Sequence, residues 1–121
     1  MRRTYFLMLA VLSVISFADV NVLAHHAISA NYDENSFGTI EGTVVEVFWA
    51  NPHVHYYIEV TEDLDNVELW DIETSSLITL ARIGWTPETI KVGDQIRVSG
   101  QLGRNGIRRL NLDRDSLQIL E

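Results

Sequence analysis

The apolar and polar positions of this chain fall into stretches of different period. Tyr5 to Ile15 (YFLMLAVLSVI) is apolar almost throughout. His25 to Ser36 (HHAISANYDENS) sustains no period, so residues 25–37 read as an extended arm. Thr39 to Trp49 (TIEGTVVEVFW) is rich in β-branched and aromatic residues and predicts a first strand, with Gly42 marking a bulge or a close backbone approach. Ala50-Asn51-Pro52 is a turn, because Pro52 has no donor for a ladder and biases Asn51 away from helix. His53 to Thr61 (HVHYYIEVT) then alternates strictly. Val54, Tyr56, Ile58 and Val60 share one face of this second strand, and His53, His55, Tyr57 and Glu59 the other.

A polar connection, Glu62 to Asn66, leads to a third strand over Val67 to Thr74, with Trp70 and Ile72 on one face. Ser75 to Ile83 (SSLITLARI) changes to a helical period, with a serine at its start to accept from free amides and Gly84 beyond its end. Thr86-Pro87 predicts one further helical turn. Gln95 to Leu102 is a fourth strand, and Asn105-Gly106 signals a hairpin. Ile107 to Leu120 is the fifth strand, interrupted near Arg114.

Three strands, a helix and two strands fit an all-β fold, a five-stranded OB-like Greek-key barrel with a short helix between strands 3 and 4. An open sandwich, or a meander with a helix on one end, is the alternative. The barrel requires the first strand to pair with the fourth as well as the second, and Tyr56, Ile58 and Val60 to be buried beneath more exposed His53 and His55.

The apolar stretch changes the domain boundaries. Arg2 and Arg3 precede it and small residues follow, so residues 1–24 read as a signal peptide cut after Ala18 or after Ala24. An uncleaved anchor is the competing reading, but the stretch is short for a hydrocarbon core of roughly 30 Å and Asp19 ends it early. Residues 38–121 form the domain, expected to be periplasmic or secreted and free of the membrane once the signal is removed.

The chain carries a formal charge of −8, and removing residues 1–24 takes away Arg2, Arg3 and Asp19, leaving 7 basic against 16 acidic residues, or −9. Such a surface repels phosphates, so no nucleic-acid partner is expected. There is no cysteine, and therefore no disulfide to support so small a core.

Three segments, taken in order, resemble one known family. They are AHHAISANYD (Ala24 to Asp33), VEVFWANPHVHYYIEV (Val45 to Val60) and RIGWTPETIKVGDQIRVSG (Arg82 to Gly100). They are similar to a domain-of-unknown-function family of small exported bacterial proteins with AHHSF, NPH and GW…GD motifs. The resemblance implies export, cleavage just before the histidine pair and an OB-like barrel, and it carries no established activity. Ala27-Ile28 stands where the family has Ser-Phe, and His55 where an aromatic residue is common.

All four histidines fall in two motifs, His25-His26 in the arm and His53-x-His55 on the second strand. Imidazole binds copper and zinc well, and i, i+2 spacing puts His53 and His55 on one strand face. These four are the candidate metal ligands, and a cut after Ala24 adds the free amine of His25. Against this stands the plainer reading of a frayed terminus and two surface histidines beside a turn. Trp49, Asn51 and Tyr57 are candidate ligand-surface residues, since the first loop and second strand of OB folds often bind ligand. Core packing is the competing role for Trp49, as for Trp70.

No nucleophile motif and no phosphate loop is present, so no enzyme is expected. The expected function is a non-catalytic periplasmic binding module with no certain cofactor, whose partner is an unknown small molecule, metal or protein. The alternative is a copper- or zinc-binding protein built on the two histidine motifs.

Overall fold

The computed structural model describes residues 28–121. The expected signal segment, with His25 and His26, lies outside them. The chain divides into two units, residues 1–31 and 32–121. Of the first unit, residues 28–31 form one helical turn, in place of extended chain. Among the described residues no helix is long and apolar enough to cross a membrane.

The second unit is a mostly β structure: β1 (Tyr32–Phe48), β2 (His55–Asp63), β3 (Asn66–Glu73), the short helix α1 (Leu77–Arg82), β4 (Gln95–Gly103) and β5 (Arg109–Leu120). The strands follow the order β1-β2-β3-β5-β4, and β1 also pairs with β4, so the sheet closes in a ring. All pairings are antiparallel except β3 with β5.

Closure depends on the length of β1. Its first half runs along β4 and its second half along β2, and Thr43 pairs with Gln95 on one side and Glu59 on the other. Gly42 sits at this change of partner, where an added Cβ would stand 2.2 Å from the Glu59 carbonyl oxygen. The glycine therefore marks a close approach, while the bulge falls between Val44 and Glu46. β1 begins at Tyr32, earlier than the Thr39 its composition predicts, and residues 32–37 are strand instead of arm. Their sequence lacks alternation because their pairing with β4 is itself irregular between Tyr32 and Phe37.

One face of every strand fills the ring. Val44, Tyr56, Ile58, Ile72, Ile96, Val98, Leu110 and Leu112 are buried there, with Leu80 of α1, Ile90 and Val54 completing the cluster. Each such side chain stabilises the fold by about 1.5–3 kcal/mol relative to exposure. Val60, Trp49 and Trp70 pack partly buried against the same cluster.

Ser76 caps α1 by accepting from the Thr79 amide, and Gly84 follows its end with a positive φ of 84°. The helical turn expected at Thr86-Pro87 is a non-helical turn held by the Thr86 and Thr89 side chains, which take the local amides that a helix would use. Asn105 and Gly106 adopt left-handed φ values of 57° and 73°, as the hairpin signal requires. The β4–β5 register shifts between Arg97 and Ser99, opposite the expected interruption near Arg114, and the Ser116 side chain fills the broken ladder there.

Candidate functional site

Alternation along β2 sends Tyr56 and Ile58 into the core and leaves His55 and Tyr57 on the outer face. His53 continues the same face, because Val54 is buried and still exchanges backbone hydrogen bonds with the end of β3. On β3 the same rule buries Ile72 and places Asp71 and Glu73 outside. In the β2–β3 register His55 lies opposite Glu73 and Tyr57 opposite Asp71. Each histidine reaches diagonally: His53 Nδ1 is 2.6 Å from Glu73 Oε1, and His55 Nδ1 is 2.6 Å from Asp71 Oδ1.

The parallel β5 contributes the third rank. Arg109 lies beside Asp71, and its Nε donates to Asp71 Oδ2 at 3.0 Å, while Nη2 stands 3.8 Å from Glu73 Oε2. The Tyr32 hydroxyl, at the start of β1, donates to Glu73, and the guanidinium lies 6.0 Å from the centre of the Tyr32 ring. Six side chains from four segments thus form two hydrogen-bonded groups, joined by the Arg109–Glu73 ion pair into one charged layer over the closed sheet.

The electrostatics follow from these contacts. Burial would push the Glu73 carboxyl up, but hydrogen bonds from Tyr32 and His53 and the nearby imidazoles outweigh it, so the carboxyl is held below its ordinary range. Burial and the bond to Glu73 raise the Tyr32 hydroxyl well above the ordinary tyrosine value. Apart from the two imidazoles, two carboxylates face one guanidinium, a formal −1. The layer therefore favours an incoming proton or cation and disfavours an anion.

An ionised carboxylate can only accept, so each Nδ1 carries a hydrogen and each Nε2 is the ring nitrogen that the carboxylates leave unengaged. Among the described residues no protein group hydrogen-bonds either Nε2. Around them lie aromatic surfaces: the Tyr57 ring stacks on His55 at 6.3 Å and 14°, and Phe48 meets His55 edge-on at 6.2 Å. His53 is the more open of the two histidines, with 41% of its side chain exposed against 17% for His55.

The sequence candidates separate in the structure. His53, His55 and Tyr57 come together on the outer face. Trp49 packs against the core, and the Asn51 side chain accepts from the Leu77 amide at 3.1 Å, tying the β1–β2 connection to the start of α1. Both of these therefore have structural partners. Among the described residues no group of three histidine, cysteine, aspartate or glutamate side chains is arranged to hold a metal ion, and His25 and His26 lie outside those residues. The two imidazoles of the HxH motif are tied to separate carboxylates. Asp71 and Glu73 alternate with Trp70 and Ile72 along the third strand, a pattern that by itself marks only a solvated acidic face. Tyr32 and Arg109 gave no signal, because only strand closure carries them there.

Comparison with known proteins places the chain within one family and one fold. A model for a family of unknown function (DUF6152) matches residues 11–111. No curated protein matches the chain. Among solved structures, a mitochondrial single-stranded DNA binding protein from S. cerevisiae is similar with a TM-score of 0.54 and 15% identity, over 71% of this chain and 94% of that one. At that identity the likeness is one of fold alone.

Proposed function

The chain belongs to the DUF6152 family of unknown function, and from that premise we propose that it is a non-catalytic, exported binding module of OB type. Its ligand face is the outer surface of β2 and β3 around His53, His55 and Tyr57. The observation that carries this reading is the anchoring of both imidazoles through Nδ1 to Glu73 and Asp71. That anchoring fixes tautomer and orientation before any ligand arrives, which lowers the ordering cost of binding. The net charge of the layer selects neutral or cationic ligands.

A fragment screen followed by amide chemical shifts tests the location. Hits should perturb His53, His55 and Tyr57, and Tyr57→Ala should weaken them about tenfold, the loss of roughly 1.4 kcal/mol of stacking. Hits clustered elsewhere on the sheet overturn the assignment.

The carboxylate-backed imidazole also favours a second reading, because metal-binding histidines commonly donate their other ring nitrogen to a carboxylate. In that reading copper or zinc binds at His53 or His55. Metal content after purification without chelators separates the two: stoichiometric copper or zinc that disappears in His53→Ala supports the metal reading, and metal-free protein supports the first.

The fold likeness to a DNA-binding protein suggests a nucleic-acid test with a negative outcome expected. Phosphate binding needs lysine and arginine, and the chain has 9 of these against 17 acidic residues. A labelled thymidine oligonucleotide should show no binding at physiological salt. Micromolar, salt-sensitive binding would reverse this conclusion.

A further inference from the structure

The sheet closes around most of its circumference, yet one stretch of strand edge has no neighbour among the described residues. β3 pairs with β2 from Asn66 to Glu73, but with β5 only at Asp71, Ile72 and Glu73. The Asp71 amide donates to the Arg108 carbonyl at 3.0 Å, so Asp71 faces away from β2. Because direction alternates along a strand, Leu69 and Val67 turn their N–H and C=O groups to the same side, beyond the end of β5. No described backbone group meets them there. Their side chains are 55% and 56% exposed, which leaves an apolar step beside the free edge.

Charge decides what can occupy this edge. The adjoining hairpin carries Glu59, Glu62, Asp63 and Asp65, all exposed, and none of them is ion-paired with a cation among the described residues. Glu68, the remaining acid of the stretch, is taken by Arg108. Pairing with a second copy through this edge would set four unpaired carboxylates against four, which is a recognised way of blocking self-association. A basic strand meets the opposite condition.

We propose that the free edge of β3 at Val67 and Leu69 docks an extended, lysine- or arginine-bearing segment of a partner protein by strand addition. Its backbone pairs with Val67 and Leu69, its apolar side chains lie beside theirs, and its cations meet Glu59, Glu62, Asp63 and Asp65. This surface continues the outer face of β2 and β3 past Tyr57 and Asp71, toward the β2–β3 hairpin and away from His53.

Two capped hexapeptides test the proposal, one alternating lysine with valine and one alternating glutamate with valine, titrated against the isotope-labelled protein. The lysine peptide should shift the amides of Val67 and Leu69, leave those of His53 and Tyr57 unmoved, and weaken with added salt. Leu69→Pro removes an edge-facing N–H while sparing the β2 ladder, so it should cost about tenfold in affinity, the equivalent of one lost hydrogen bond. Asp65→Lys, on the exposed turn, should weaken binding independently of any backbone change. Equal shifts with both peptides, unchanged affinity in both variants, or concentration-dependent self-pairing at Val67 and Leu69 would each overturn the proposal. Ligands mapping to His53 and Tyr57 alone would leave the histidine-face reading standing and remove this one.

Discussion

Gly100→Ala should destabilise the domain by about 3 kcal/mol or more, a large part of the 5–15 kcal/mol that holds a typical domain together. Gly100 lies in β4 where it pairs with Gly38 of β1 on one side and Leu112 of β5 on the other. An added Cβ would stand 2.0 Å from the Asn111 carbonyl oxygen and 2.9 Å from a Leu110 methyl. The first of these contacts is with backbone, which cannot swing aside as a flexible side chain can. Relief requires β4 and β5 to separate at the centre of their ladder, and β5 carries Arg109 into the charged layer. Gly84→Ala is the matched control, because its Cβ meets nothing within 4 Å and only the positive φ of 84° is strained. That variant should lose about 1 kcal/mol. Urea midpoints give both values, and a Gly100→Ala protein within about 0.5 kcal/mol of the parent would show that the strands separate more cheaply than this geometry implies.

Glu73→Ala should cost about 2–3 kcal/mol, because one carboxylate satisfies several neighbours at once. Tyr32 is only 2% exposed, so its hydroxyl loses its partner where water cannot readily replace it. His53 loses its anchor, and Arg109 is left facing one carboxylate instead of two. Glu73→Gln keeps the shape but presents an amide N–H₂ to one of two donors, so it should fall between the parent and alanine. The pH dependence identifies the charge as the cause. Since the folded-state pKa of Glu73 lies below its ordinary value of 4.5, its contribution is fully present above that value and is lost as pH falls through the folded pKa. The stability gap between parent and Glu73→Ala should therefore be level through neutral pH and shrink below about pH 4.5. A gap that persists unchanged in acid would mean that packing, not charge, is what Glu73 supplies.

Both effects depend on the two closures of the sheet, β1 onto β4 and β3 onto β5, and these closures divide what was legible from what was not. Alternation over His53 to Thr61 established that Tyr56 and Ile58 face inward while His55 and Tyr57 face outward, because side-chain direction in a strand repeats every two residues whatever the partner. The helix cap at Ser76, the left-handed Gly84 and the Asn105-Gly106 turn were likewise local, each set by the chemistry of a few adjacent residues. The element order pointed to a barrel, in which the first strand must pair twice, but it left an open sandwich or meander as the alternative.

The charged layer could not be obtained that way. Glu73 meets Tyr32 across 41 positions of sequence, and Arg109 meets Asp71 across 38. No periodicity or motif links residues so far apart, since their approach depends on strand register and on a β1 long enough to wrap back over the sheet. For the same reason residues 32–37 read as an arm: they are held to β4 only at Tyr32 and Phe37, with the register broken between the two, and their own side chains carry no alternation. Asn51 looked available for ligand until α1 packed against it and took its side-chain oxygen. The sequence by itself determined which face of the second strand is buried and where the Asn51-Pro52 and Asn105-Gly106 turns fall, because those depend on neighbouring residues. Only the tertiary structure decided which outward side chains meet and which edge stays open, because those depend on how far each strand runs beside its partner.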